Sequence, residues 1–112
     1  MYQVYVVELR KVVFSDHKKF REANPQYNGV LECLYVGMSS KSPQERLKQH
    51  KEGVLSEKGI DISSSIVKKY GSFLRPSLYS HLPVYRTQAE ALKSEKNLTA
   101  SLRKQRYAVW SN

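Results

Sequence analysis

Apolar and polar positions alternate at the start of the chain. Tyr2-Gln3-Val4-Tyr5-Val6-Val7-Glu8-Leu9 is rich in β-branched and aromatic side chains and reads as a strand. Tyr2, Val4, Val6 and Glu8 share one face; Gln3, Tyr5, Val7 and Leu9 share the other. Scattered charges and the turn-prone run Asn24-Pro25-Gln26-Tyr27-Asn28-Gly29 make residues 10–29 a long, partly helical connection. Val30 to Val36 then returns as a second strand, antiparallel to the first, and Gly37 ends it.

Helical spacing takes over after that glycine. Ser42 can cap a helix, Pro43 suits its first position, and Glu45 completes a capping box. The segment runs through Arg46, Leu47 and His50 towards Gly53, a natural stop. Ser63-Ser64-Ser65 caps a shorter helix that Gly71 closes, and Ser77 to Leu82 reads as a third strand. Thr87 caps a long helix from about Gln88 to Gln105, and the apolar Tyr107-Ala108-Val109-Trp110 packs back as a short strand or tail. The expected class is α/β (α+β). A small, mostly antiparallel three-stranded central sheet is flanked by helices near residues 42–52, 64–70 and 88–105. Residues 1–112 form one domain.

Composition narrows the partners. Hydrophobic residues make up 40% and charged residues 26%, an ordinary balance for a soluble globular domain. No apolar run approaches the roughly 20 residues that span a bilayer, so no membrane role is expected. Met1-Tyr2-Gln3 does not open a secretory leader. The single Cys33 excludes an internal disulfide and a multi-cysteine zinc site, which fits a cytoplasmic setting. The net charge is +9, and it is uneven. Residues 1–61 hold ten Lys/Arg against eight Asp/Glu, whereas residues 62–112 hold nine against two. A basic half of this kind favours a polyanion, nucleic acid before membrane, although a merely soluble basic surface would look the same.

Candidate chemistry sits on two helices and two strands. Arg46 and His50 lie about 40° apart around their helix and face one region. On the last helix, a step of about 100° per residue gathers Ala91, Leu92, Leu98 and Leu102 into one apolar stripe. Glu95 falls in the middle of that stripe. A carboxylate turned inward is costly unless it is paired or binds a metal. A structural ion pair, with Arg46 for instance, is one reading. The other is a hard-cation ligand, because Mg²⁺ commonly takes one or two carboxylates and fills its shell with water and phosphate. Tyr5 and Tyr35, taken singly, read as sheet tyrosines, and His17 and His81 as helix-face residues without a task.

Taken together, Gln3-Val4-Tyr5, Leu34-Tyr35-Val36-Gly37, Arg46, His50 and Ala91-Leu92-Lys93-Ser94-Glu95 resemble the GIY-YIG nuclease family in order and spacing. The first signature carries Gln3-Val4 where Gly-Ile is typical, and residues 8–33 are longer than the family's compact connection. The resemblance implies metal-dependent endonucleolytic hydrolysis of DNA phosphodiesters, with structure-selective DNA repair or processing as one setting. It implies catalytic roles for Tyr5, Tyr35, Gly37, Arg46 and His50, and one Mg²⁺ or Mn²⁺ held by Glu95. Tyr5 is expected to activate water, as a phenolate-like base or as a relay. Lys48, Lys51, Lys68, Lys69 and Arg75 are candidate contacts to the DNA backbone. With no room for a targeting domain, specificity is expected in residues 8–33, in the basic half or in a partner protein. The oligomeric state is open. The alternatives are a catalytically inactive nucleic-acid-binding module on the same fold, or a small protein-interaction module docking through tyrosine and tryptophan.

Overall fold

The computed structural model describes residues 1–52 and 62–111, with residues 62–64 described only as part of a helix. The chain runs β1 (Gln3–Leu9), α1 (Val12–Asp16), α2 (Lys18–Glu22), β2 (Cys33–Ser39), α3 (Pro43–Glu52), α4 (Ile62–Tyr70) and β3 (Gly71–Leu74). A 3-10 turn over Pro76–Leu78, α5 (Gln88–Lys104) and β4 (Ala108–Ser111) complete it. The class is mixed α/β, and the sheet has four strands rather than three, in the order β3-β1-β2-β4. β1 is antiparallel to both β2 and β3, while β4 runs parallel to β2.

Period-two alternation builds two cores from one sheet. Tyr5, Val7, Leu9, Cys33 and Tyr35 face Val13, Phe20, Ile66, Val67 and Tyr70, supplied by α1, α2 and α4. Val4, Val6, Leu34 and Val36 face Leu102 of α5 together with Val109. Strands buried on both faces read as nearly unbroken apolar runs, which is the Val4-Tyr5-Val6-Val7 pattern.

Local signals held where they depend on neighbours in sequence. The Ser42 hydroxyl accepts from the Glu45 N–H at 3.2 Å, and Thr87 accepts from the Glu90 N–H at 3.2 Å, so both expected caps form. α4 begins at Ile62, so its serines lie within the helix rather than ahead of it. The expected stop at Gly53 lies outside the described residues. His17 has a task after all: its Nδ1 accepts from the Phe20 N–H at 3.2 Å and caps α2.

Strand boundaries needed more correction. Val30 is 70% exposed, and β2 begins only at Cys33. Gly29, with φ of +83°, holds the preceding turn open, and the Lys11 ammonium clamps it by donating to the carbonyls of Gly29 and Val30. Gly37 does not end β2 but sits within it, opposite Tyr5. The expected strand at Ser77–Leu82 is a 3-10 turn that starts at Pro76 and runs on into a further turn and a bend. Its place beside β1 is taken by Gly71–Leu74, in register Val7↔Leu74 with an irregularity at Glu8/Leu9. Leu92, assigned to the apolar stripe of α5, is 38% exposed.

Polar residues fix how the C-terminal strand returns. Asn24 is fully buried; its amide donates to the Phe20 carbonyl at 2.8 Å, and its Oδ1 accepts from the Val109 N–H at 2.7 Å and from Arg103 Nε at 3.3 Å. Arg103 also donates to the Val109 carbonyl at 2.9 Å. α5 ends with the Tyr107 N–H reaching back to the Leu102 carbonyl at 3.1 Å and the Arg106 N–H to the Arg103 carbonyl at 2.9 Å. Arg106 stands at φ of +79°, a left-handed position that glycine fills most readily. Replacing Asn24 by alanine strands a buried N–H, so urea denaturation should show a loss of about 1–3 kcal/mol. Arg106→Gly relieves left-handed strain and should raise stability by about 1 kcal/mol in the same assay.

Candidate active site

Strand register and one helix bring the tyrosines and the imidazole together. Tyr5 on β1 and Tyr35 on β2 point to the same face, with ring centroids 6.1 Å apart. His50, in the last turn of α3, meets both. Its Nε2 lies 3.1 Å from the Tyr5 hydroxyl, and its ring packs edge-on against Tyr35 at 5.6 Å. Which partner donates in the Tyr5–His50 hydrogen bond follows the imidazole tautomer.

Gly37 makes this packing possible. A Cβ at that position would stand 2.8 Å from Tyr35 Cε1 and from Tyr5 Cζ and its hydroxyl. The resemblance gives Gly37 a place in the catalytic set, where a bare backbone would let substrate approach. In the structure the space it leaves is taken by the two tyrosine rings.

The cluster is dry. Tyr5, Tyr35, His50 and Glu95 are each 1% exposed. Burial drives the Tyr5 phenol well above its usual range, the nearby Tyr35 and Glu95 push it further, and only Arg46 pulls the other way. A standing phenolate at Tyr5 is therefore disfavoured, and of the two roles expected for it the relay is the one that suits these surroundings. Arg46 comes from α3 and Glu95 from α5, so charges from two helices bear on the Tyr5 phenol. Arg46 is half-buried and donates to Gln49 Oε1 at 3.4 Å.

A divalent cation of the magnesium type takes oxygen ligands, and one or two carboxylates with water and phosphate suffice. Glu95 offers one carboxylate. No group of three or more His, Cys, Asp or Glu side chains able to cage a metal occurs among the described residues. One carboxylate is the least such an ion takes from a protein, and with Glu95 1% exposed the water and phosphate that would complete its shell need the cluster to open; the donor set does not fit an all-protein cage.

The candidate DNA contacts divide. Lys48, Lys51, Lys68 and Lys69 are exposed. Arg75 is committed elsewhere, with Nη1 2.8 Å from Glu8 and 3.8 Å from Glu32. Arg10 is likewise engaged within the fold: it donates to the Lys69 carbonyl at 3.1 Å while its guanidinium lies 5.8 Å over the Tyr70 ring. No local pattern marks it, since its neighbours come from α4. Two open hollows, of about 480 and 470 Å³, lie outside the cluster; none of Tyr5, Tyr35, His50 and Glu95 lines them. Among the described residues no helix is long and apolar enough to cross a membrane.

Two outcomes follow. The Tyr5 pKa is raised on folding, so its contribution to stability is whole below the free phenol's pKa of about 10 and is lost as pH climbs past it. Absorbance titration at alkaline pH should show Tyr5 ionising only with unfolding, and Tyr5→Phe should reduce only that late step. Gly37→Ala should cost about 1–3 kcal/mol in urea denaturation, because the added methyl must displace a packed ring. Compared with protein-family models, with curated proteins and with solved structures, the chain finds no match.

Proposed function

We propose that the chain is a metal-dependent DNA endonuclease that hydrolyses phosphodiester bonds, with GIY-YIG-like chemistry. The observation that carries this reading is the buried hydrogen bond between the Tyr5 hydroxyl and His50 Nε2, within reach of one guanidinium and one carboxylate. Phosphodiester hydrolysis needs a proton taken from water and a fixed positive charge where negative charge grows.

In this reading the neutral Tyr5 phenol donates to His50 Nε2, leaving the imidazole's own proton on Nδ1. As water attacks phosphorus, its proton passes to the Tyr5 oxygen while the Tyr5 proton passes to Nε2. The pair therefore moves one proton without ever holding a free phenolate, which the dry surroundings would penalise. Arg46 stabilises the equatorial oxygens; it stays charged at any working pH, and its planar fork matches phosphate. Tyr35 fixes the ring of His50 and orients the phosphate. Glu95 would hold the Mg²⁺ or Mn²⁺, which supplies Lewis-acid polarisation and eases departure of the leaving oxygen. Lys48, Lys51, Lys68 and Lys69 would meet the DNA backbone, an attraction suited to a chain of net charge +9.

The burial of all four central side chains favours a second reading, a nucleic-acid-binding module without turnover in which the cluster is structural. The two part on one assay. Purified protein with Mg²⁺ or Mn²⁺ is incubated with supercoiled plasmid, flap, junction and single-stranded substrates. Metal-dependent cleavage that Glu95→Gln abolishes and Arg46→Ala slows by about 10²–10³-fold supports the hydrolase. Cleavage that persists in EDTA or in Glu95→Gln would sink the metal role. Salt-sensitive binding with no cleavage of any substrate establishes the second reading.

A further inference from the structure

Between α3 and the edge strand β3 lies a hollow of about 470 Å³, lined by residues that include Gln44, Leu47, Lys48, Lys51, Phe73 and Leu74. Phe73 is 53% exposed on the strand at the sheet's edge, an aromatic ring left partly in water. Lysines flank the apolar floor. Lys51 Nζ donates to the Ser72 carbonyl at 3.3 Å, which holds its ammonium beside the strand. Lys48 is 3.9 Å from Glu52, and both side chains are well exposed, so that pairing is weak and readily exchanged for a phosphate.

We infer that this hollow seats the base of an unpaired nucleotide on Phe73, with Lys48 and Lys51 holding the flanking phosphates. The inference rests on the hydrolase reading for where cleavage occurs, and it names the substrate class as DNA with a single-stranded segment. An aromatic face beside a basic rim is the combination that binds single strands, because every base offers a π-face and every linkage a charge. A paired base in a duplex has both faces covered by its neighbours and cannot lie on Phe73. Charge favours an anionic occupant over an apolar peptide, since the chain carries +9 and this rim carries two lysines against the single Glu52.

The helix explains how such a seat would serve the cluster. Positions three and four apart on a helix are neighbours on its surface, so Arg46 adjoins His50 on α3 and Leu47 adjoins Lys51. Leu47 directly follows Arg46, and the second pair lies beside the first around the helix. Leu47 and Lys51 thus adjoin the catalytic candidates on one side and line the hollow on the other. A base held there would set a neighbouring phosphate towards Arg46, so that cleavage falls close to the unpaired nucleotide.

The test is fluorescence anisotropy of a labelled oligothymidylate and of a duplex of equal length, both in EDTA so that no cleavage intervenes. Phe73→Ala should weaken single-strand binding about tenfold and leave duplex binding within about twofold, and Phe73→Tyr should restore the wild-type affinity. Lys51→Ala should lower the slope of log affinity against log salt by about one. Phe73 is half in water, so its replacement spares the core. Unchanged single-strand affinity in Phe73→Ala, or an equal loss on duplex, overturns the seat. Self-association of the wild type that Phe73→Ala abolishes gives the hollow to a second copy of the chain and also overturns it. Phe73-dependent single-strand binding by a protein that cleaves nothing upholds the seat while the hydrolase reading falls. Metal-dependent cleavage with a Phe73→Ala variant indistinguishable from wild type does the reverse.

Discussion

Setting Tyr5 opposite Gly37 across β1 and β2 leaves a gap where a side chain would stand, and the two tyrosine rings occupy it. Much of the molecule follows from that register. A slip of one residue would turn every side chain of a strand to the opposite face, exchanging Tyr5, Val7 and Leu9 for Val4 and Val6. Because both faces are buried, the slip would spoil two cores at once. The register is therefore held by packing on both sides of the sheet, with no turn beside it to set it. His50 then finds the Tyr5 hydroxyl because α3 starts at a fixed cap a few residues beyond β2.

Dryness governs what this cluster can do. A phenol closed off from bulk solvent resists carrying charge, and the nearby Tyr35 and the Glu95 carboxylate deepen that resistance for Tyr5. A hydrogen-bonded partner able to take a proton changes the balance, since charge can be moved without being left on the phenol. That is why the Tyr5–His50 pair carries more weight than either residue alone. Arg46 is the one neighbour found to favour the phenolate, and it sits at the half-buried margin where a solvated phosphate could approach.

In the proposed reading the basic surface and the hollow beside β3 would supply what a buried cluster lacks, a place for a polyanion to rest. Exposed lysines give attraction without geometry, whereas a half-exposed Phe73 on an edge strand would add an aromatic face. Arg75 shows that position in a basic half does not make a residue a contact. Its guanidinium faces Glu8 at 2.8 Å, an arrangement set by β1 and the chain just after β3 and not by any partner.

Sequence alone determined the features whose causes lie within a turn of helix or a few strand residues. The two faces of β1, the caps at Ser42 and Thr87, and the inward turn of Glu95 were all legible for that reason. So was the grouping of Tyr5, Tyr35 and His50, through the resemblance of their ordered motifs. Tertiary structure decided the rest. β3 is four residues with a glycine and a serine, too short to show a period, and is a strand because β1 offers it a partner. Gly37 read as a strand end because only the rings of Tyr5 and Tyr35 reveal why a glycine is needed mid-strand. Asn24 looked like a turn former, yet it holds Val109 from 85 residues away. Caps and periodicity are written in adjacent residues, whereas pairing, burial and the hollow at Phe73 are properties of surfaces that meet only once the chain has folded.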